Sequence, residues 1–533
     1  MLIIKSRRKT ALKLDEPIKH ASHRRPVTRR DFLAQGFMTG AATVVAPSVL
    51  GMLLNPRTAN ALSTDIDLLA RGVCNITAGA GKIPFICFDL AGGANIVGSN
   101  VLVGQTGGQL DFLSAQGYSK QGLPGEMAPN NPAFVNTELG LAFHSDSAFL
   151  RGILEKTSAG TRANISGAVI PARSENDTGN NPHNPMYGIA RAGAKGELLT
   201  LIGSQTSDSG GNSVAPALLI DVGNRPTKVD RAADVRGLVD TGELGTLFSD
   251  PRDTVAVMEA IARISNDKLL RVNTQLPPAG AGGDTATKDQ VRCGYVKTAD
   301  TVEKFSSPAA LDPAQDPDIV GAGGVFGPNF GGDREFEKTA SVMKLVVQGF
   351  AGAGTISMGG FDYHTGDRST GELRDLRAGR AMGACLEFAA RRGQPLMMYV
   401  FSDGSLSSNG VIDNSVDGRG KGQWTGDNQQ TAAAFFLVYS PNGRPALLNQ
   451  DGIPTTRRQQ LGYFRRDGDV ETSGSPAANN VNLLVQTVLL NYMALHGEAG
   501  NFASAFPGHG LGNTQSQGAL VAFNPIVNGT IGA

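Results

Sequence analysis

An aspartate and a histidine lie two positions apart in the segment GGFDYHTGDR, residues 359–368. On an extended or turning backbone, residues two apart point the same way, so Asp362 and His364 can bracket one ion. Carboxylate and imidazole groups together suit Mg²⁺, Mn²⁺, Ca²⁺ or Zn²⁺. The alternative is a solvated turn in which Asp362 accepts hydrogen bonds from backbone N–H groups. The spacing thus predicts a divalent-cation site or a polar turn.

Two further aspartates follow apolar runs. Asp403 comes directly after YVFS, and Asp89 lies in FDLAGGANIVG, shortly before Asn95. An ionised carboxylate buried at a strand end needs a partner, and a cation is a common one. The histidines beyond residue 61 are His144, His183, His364, His496 and His509. So few imidazoles favour a site dominated by carboxylates.

The elements that must position these residues alternate between apolar runs and amphipathic segments. Runs that are apolar at every position suit strands covered on both faces, as in parallel sheets. The predicted strands lie within 83–93, 198–205, 217–223, 354–362, 395–404 and 431–441. The predicted helices lie within 249–270, 335–353, 370–393 and 479–497. This alternation predicts an α/β fold with a mostly parallel central sheet and helices on both faces.

Helix and loop signals refine this outline. Asp250 is a plausible N-cap for the first predicted helix, with Pro251 at its first helical position. Two Gly-rich stretches, 277–284 and 321–333, are interpreted as surface loops within an insertion at about 275–335. We therefore expect residues 62–533 to form a single α/β domain that carries this insertion.

The carboxyl ends of the strands are the expected place for the site, because ligands of open α/β sheets bind there. Asp89, Asp362 and Asp403 each occupy such a strand end in the predicted sheet. The sequence therefore predicts that the three carboxylates converge at one edge.

The N-terminal segment 1–61 has the order of a twin-arginine export signal. Arg29 and Arg30 precede Phe-Leu, a weakly apolar stretch follows at 36–54, and small residues at 59–61 form an A-x-A cleavage site. An uncleaved N-terminal anchor is the alternative, and the A-x-A argues against it. The segment predicts the Tat translocase as a partner during export and the periplasm or the cell surface as the destination.

The net charge of the mature chain indicates which classes of partner it is suited to bind. Removal of residues 1–61 takes away 11 of the 48 basic and 3 of the 48 acidic residues, which leaves a formal net charge of −8. This balance disfavours a nucleic-acid partner. No later window reaches the roughly 18 consecutive apolar residues of a membrane span, so none is expected in the mature chain.

The four cysteines show no C-x-x-C spacing, which argues against a zinc ribbon or a thioredoxin motif. They are Cys74, Cys87, Cys293 and Cys385. An oxidising compartment permits disulfides, but their pairing does not follow from the spacing. Cys87 and Cys385 lie in apolar patterns that suit buried thiols as well as bridges.

Several short motifs follow one another along the chain in a recognisable order. They are LAGGAN at 90–95, a polar loop with His183 before a helix, GFDYH at 360–364, SD at 402–403, Asp427, and PG at 507–508. This order is similar to that of a Tat-exported bacterial family called domain of unknown function 1501, distantly related to alkaline phosphatases and sulfatases. The resemblance covers residues 83 to about 510, and GFDYH is its most specific part.

The resemblance implies a metal-dependent hydrolase of phosphate or sulfate esters, with envelope polysaccharides as candidate substrates. In that superfamily a hydroxyl nucleophile at a helix start works with two metal ions. Thr178 is the candidate nucleophile, and a loop or cap threonine is the alternative. The implied metal ligands are Asp89, His183, Asp362, His364, Asp403 and Asp427.

The chain also departs from the family pattern. Asn95 stands where the family has aspartate, Pro182 stands where it has the serine before histidine, and Asn428 stands where it has the histidine after aspartate. The strand-end arginine is missing too. These departures favour the alternative function, a non-catalytic envelope binding or assembly protein that uses the inherited cleft.

Overall fold

The computed structural model describes residues 62–74, 80–174, 181–238, 251–272, 284–304, 311–328 and 330–531. These residues fall into two compact units. One unit contains the described parts of 1–76 and 241–306, and the other contains those of 77–240 and 307–533. The predicted export signal and Thr178 lie outside the described residues, as do Asp250 and most of the first Gly-rich stretch.

The larger unit is built on a seven-stranded sheet. Its strands are β1 (Phe85–Leu90), β4 (Ile165–Pro171), β5 (Leu199–Gly203), β6 (Thr227–Lys228), β7 (Ala351–Met358), β8 (Leu396–Phe401) and β11 (Ala433–Tyr439). Their order across the sheet is β4-β11-β8-β1-β7-β5-β6. The neighbours β8, β1, β7, β5 and β6 run parallel, whereas β11 is antiparallel to both β8 and β4. The predicted α/β fold with a mostly parallel sheet and helices around it is confirmed.

Two short ribbons accompany the main sheet. They are β2 (Val135–Asn136) with β3 (Phe143–His144), and the hairpin of β9 (Leu406–Asp413) with β10 (Lys421–Asp427). Every residue of β1, β4, β7, β8 and β11 is buried. Strands covered on both faces read as continuous apolar runs, which is why the sequence revealed most of them.

Helices of the larger unit pack around the sheet. They are α2 (Ala115–Lys120), α3 (Ala148–Lys156), α4 (Ala159–Ala163), α5 (Met186–Arg191), α6 (Ala232–Arg236), α9 (Arg334–Val347), α10 (Ser369–Arg391), α11 (Thr455–Arg458), α12 (Val481–Leu495), α13 (Phe502–Ala505) and α14 (Thr514–Ala519). The predictions of α9, α10 and α12 are confirmed. Asn480 caps α12 by accepting a hydrogen bond from the Leu483 N–H, and Asp333 caps α9 by accepting one from Glu335.

One predicted strand is wrong. Residues 217–223 form turns, with Leu218 93% and Val222 75% exposed. The run follows Pro216, and its turns are closed by hydrogen bonds from Leu219 N–H to the Pro216 carbonyl and from Asn224 N–H to the Asp221 carbonyl. Local apolarity favoured a strand there, but none of the described strands pairs with the run. Strand β4 was not predicted.

The smaller unit contains α1 (Thr64–Arg71), α7 (Pro251–Leu270) and α8 (Asp284–Lys304). Its core joins Ile66 of α1 to Met258 and Ala262 of α7 and to Val296 of α8. A disulfide links Cys74, just after α1, to Cys293 on α8. Cys87 and Cys385 are free, buried thiols. None of the described helices is long and apolar enough to cross a membrane.

The disulfide predicts a thiol count. Protein recovered from an oxidising compartment and unfolded without reductant should show two reactive thiols, and four after reduction, since only Cys87 and Cys385 are free. Cys74→Ser should show three under both conditions. Titration with a thiol reagent measures this. Four reactive thiols in the unreduced, unfolded wild-type protein would contradict the pairing.

Candidate metal site

The segment that follows β7 carries two of the candidate ligands. Phe361 and Tyr363 are buried, whereas the side chains of Asp362 and His364 are 60% and 35% exposed. This alternation is the two-residue periodicity expected of extended backbone. A hydrogen bond from the Phe361 N–H to the Ala91 carbonyl ties the segment to the end of β1. The buried aromatic residues therefore turn Asp362 and His364 outward together.

The β9–β10 hairpin brings the third ligand. Asp427 is the last residue of β10 and pairs with Leu406 at the start of β9. Trp424 of β10 is fully buried. Its backbone N–H donates to the Asp367 carbonyl, and its backbone carbonyl accepts from the Gly366 N–H. The hairpin is thus hydrogen-bonded to the segment that carries His364, and Asp427 lies beside it.

Asp362, His364 and Asp427 form one cluster. Nε2 of His364 lies 2.8 Å from Oδ1 of Asp362 and 3.8 Å from Oδ1 of Asp427. One ligand atom from each residue lies within 4.8 Å of the other two. The ligands of a tetrahedral zinc ion are about 3.5 Å apart, given metal–ligand distances of about 2.0–2.3 Å. Small side-chain movements would let this donor set hold one divalent cation and leave further coordination positions open.

Gly92 sets the distance between the end of β1 and this cluster. Its φ is +121°, and a Cβ added to it would lie 2.6 Å from the Asp362 nitrogen. Its N–H donates to Oδ1 of Asp403 over 2.7 Å. Only glycine fits this backbone conformation and this close approach. Asp403 is buried, and its carboxylate contacts Gly92 and is not part of the cluster.

Asp89 lies near the carboxyl end of the central strand β1 and is fully buried. Its carboxylate accepts hydrogen bonds from the N–H groups of Asn212 and Ser213, at 2.6 and 2.9 Å, and from the Ser213 hydroxyl at 3.1 Å. Burial raises the pKa of Asp89 to about 6, the Ser213 N–H opposes that shift, and the nearby charge of Asp403 adds to it. The loop after β5 therefore already satisfies this carboxylate.

His183 is also buried and lies over the end of β8. Its ring stacks on Phe401 with centroids 5.5 Å apart, and its Nε2 lies 2.8 Å from the Ser174 hydroxyl oxygen. Among the residues that the structure describes, its Nδ1 has no hydrogen-bond partner. Burial lowers the pKa of His183 to about 3, so its imidazole stays neutral at neutral pH. The structure does not bring it into the Asp362 cluster.

The structure thus divides the six predicted ligands. Asp362, His364 and Asp427 come together with exposed ligand atoms, whereas Asp89, His183 and Asp403 are buried beneath the same edge. Sequence reasoning did not find the roles of Gly92, or of the loop that satisfies Asp89. The only signal for Gly92 was the glycine pair before Asn95, and the loop lies 123 residues from Asp89 along the chain.

Two other histidines, His144 and His496, have structural partners. His144 accepts the Asp146 N–H through Nδ1, with its Nε2 3.0 Å from the Met127 carbonyl. His496 accepts the Ile83 N–H through Nε2, which leaves Nδ1 to donate to the Tyr492 carbonyl. Burial lowers the pKa of both imidazoles to about 4. Both hold segments of the fold together.

Comparison with known proteins gives no relative. No protein-family model, no curated protein and no solved structure matches this chain. The resemblance to domain of unknown function 1501 therefore stays a prediction.

The pKa of Asp89 predicts a pH dependence of stability. Because burial raises that pKa from 3.8 to about 6, the folded protein binds more protons than the unfolded chain between these values. The free energy of unfolding of the wild type relative to Asp89→Asn should therefore rise as the pH falls through this interval, by up to about 3 kcal/mol. Urea unfolding of both proteins at several pH values measures the difference. A difference independent of pH would contradict the raised pKa.

Proposed function

We propose that this protein binds a divalent cation through Asp362, His364 and Asp427 and uses it to hydrolyse phosphate or sulfate esters. The observation that carries the proposal is the cluster itself, in which two carboxylates and one imidazole converge with exposed ligand atoms. The ligand set suits Zn²⁺ or Mn²⁺, and with added water Mg²⁺ or Ca²⁺.

The charges around the cluster support a cation. Asp403 and Asp89 lie buried beneath the same edge, where burial raises the pKa of Asp89 and the nearby charge of Asp403 adds to that shift. A cation would offset part of the negative potential that these carboxylates and the cluster create together. The position at the carboxyl edge of a mostly parallel sheet is also where α/β proteins bind ligands.

A divalent cation at this position would supply Lewis-acid stabilisation for the charge on a phosphoryl or sulfuryl group. Three protein ligands leave room for such an oxygen ligand. His364 and Asp427, both partly exposed, would flank the ligand, while the buried Phe361 and Tyr363 hold the segment from below.

Arg374 supports an anionic ligand. Its Nη1 lies 3.4 Å from the Gly359 carbonyl, and it occupies the space that a Cβ on Gly360 would take. Within the described part of the chain it has no carboxylate partner, unlike Arg377 and Arg380 on the same helix, which pair with Asp333 and Glu155. A guanidinium near a cation site suits ligands with phosphate or sulfate groups.

Binding without turnover is the second candidate. It is favoured by the internal hydrogen bonds of Asp89 and the burial of His183, since these remove two of the implied ligands from the exposed cluster. It would make the protein an envelope binding or assembly protein. The proposed periplasmic or surface location is compatible with the Cys74–Cys293 disulfide.

Metal affinity tests the cation site. Wild-type protein freed of metal with chelator should bind Mn²⁺ at one site in calorimetric titration, and Asp362→Ala, His364→Ala should reduce the affinity by more than about 100-fold, because two of three ligands are lost. The matched control is Asp417→Ala, His509→Ala, which removes the same residue types outside the cluster and should bind as the wild type does. Equal binding by all three proteins would contradict the assignment.

Turnover separates the two candidate functions. If the protein is a hydrolase, p-nitrophenyl phosphate or p-nitrophenyl sulfate should be cleaved with Mn²⁺ present, and both chelator and the double substitution at the cluster should abolish the activity. Product release at 405 nm measures the rate. Stoichiometric Mn²⁺ binding with no turnover of either ester, or of other esters of these classes, would favour the binding protein.

A further inference from the structure

Tyr363 lies between two of the candidate ligands and points the opposite way. Its side chain is 2% exposed, although both neighbours face outward. Its hydroxyl accepts a hydrogen bond from the Asn95 N–H over 3.0 Å and donates one to Oδ1 of Asp375 over 2.8 Å. The central residue of the segment is thus attached at its tip to two other parts of the fold.

Asp375 is itself held firmly. It lies on α10, is 1% exposed, and accepts a second hydrogen bond from the Asn100 side-chain amide to its Oδ2 over 2.8 Å. The same amide donates to the Asn95 carbonyl over 2.9 Å. Asn95, Asn100, Tyr363 and Asp375 therefore form one connected, buried network.

Burial of the Asp375 carboxyl group in this network disfavours its ionised form. Burial raises the pKa of Asp375 to about 7, and the Glu372 charge adds to the shift. A buried carboxyl group whose hydrogen bonds are satisfied can fix an arrangement that an apolar residue would leave loose. The arrangement fixed here is the depth and direction of the Tyr363 side chain.

Fixing Tyr363 limits the movement of Asp362 and His364 on either side of it. Consecutive Cα atoms are 3.8 Å apart, so the Cα positions of Asp362 and His364 cannot move far while that of Tyr363 is fixed. Ligand groups must be held to within about 0.5 Å to bind a metal well. Three further contacts hold the ends of this segment: the close approach of Gly92 to Asp362, the hydrogen bond from the Phe361 N–H to the Ala91 carbonyl, and that from the Gly366 N–H to the Trp424 carbonyl.

We infer that Tyr363 and Asp375 act as positioning residues, whose hydrogen bond sets the spacing of Asp362 and His364 for cation binding. The inference rests on the proposed function, since it concerns the same cation site. It predicts that the hydroxyl of Tyr363 contributes to metal affinity although it does not contact the metal.

Tyr363→Phe is the direct test, because it keeps the buried ring and removes only the hydroxyl. We expect the Kd for Mn²⁺ to rise about tenfold, the lower end of what loss of a supporting partner costs a metal site. The matched control is Tyr492→Phe, which removes another fully buried hydroxyl, one that donates to the Ile83 carbonyl over 2.8 Å far along the chain from the cluster. The control should lose thermal stability but keep the wild-type Kd.

Two substitutions of Asp375 separate positioning from stability. Asp375→Asn keeps an oxygen that can accept the Tyr363 hydroxyl, whereas Asp375→Ala removes it. The Kd of Asp375→Asn should therefore lie nearer to the wild-type value than that of Asp375→Ala. Calorimetric titration with Mn²⁺ measures all five proteins, and amide hydrogen exchange of residues 361–366 measures the mobility of the segment.

The outcomes are distinguishable. A wild-type Kd in Tyr363→Phe, or an equal rise in Tyr492→Phe, overturns the inference while leaving the cation site intact. If the wild type binds no Mn²⁺, the proposed function is wrong. Amide hydrogen exchange of residues 361–366 then tests on its own whether the Tyr363 hydroxyl holds this segment in place. Faster exchange at 361–366 in Tyr363→Phe than in Tyr492→Phe then supports the anchor, and equal exchange overturns it.

Discussion

The pairing of β1 with β7 on one side and β8 on the other is the constraint on which the site depends. Asp89 of β1 pairs in register with Ser357 of β7 and Phe401 of β8. The three parallel strands therefore end next to one another. The segments that follow must then pass one another closely, and Gly92 allows this because it has no Cβ to meet Asp362. The convergence of Asp362 and Asp403 at one edge is thus a result of strand order.

Burial sorts the polar side chains at this edge into two groups. Asp89 and Asp375 lie inside the fold and are satisfied by hydrogen bonds from Ser213 and from Tyr363. These hydrogen bonds offset the unfavourable burial of the two carboxyl groups and hold the donating segments in place. The ligand atoms of Asp362, His364 and Asp427 lie outside, where an added cation can reach them. The buried groups position the segments, and the exposed groups are left to bind.

The sequence predicted the sheet and the strand-end aspartates because both depend on local patterns. The alternation around Tyr363 likewise indicated that Asp362 and His364 face the same way. What it could not predict depends on contacts between distant segments. The hydrogen bond of Asn212 to Asp89 joins residues far apart in the chain, and the apolar run at 217–223 favoured a strand although Leu218 is 93% exposed. Asp427 was included through the family resemblance, and its position beside His364 depends on the β9–β10 hairpin.

The central claim is that one divalent cation binds between Asp362, His364 and Asp427, and a crystal structure of the Mn²⁺-loaded protein with anomalous diffraction data would test it most directly. The account predicts an anomalous peak about 2.0–2.3 Å from Nε2 of His364 and from one carboxylate oxygen of each aspartate. If crystals at saturating Mn²⁺ showed a fully occupied peak elsewhere and none at this cluster, the claim would be contradicted.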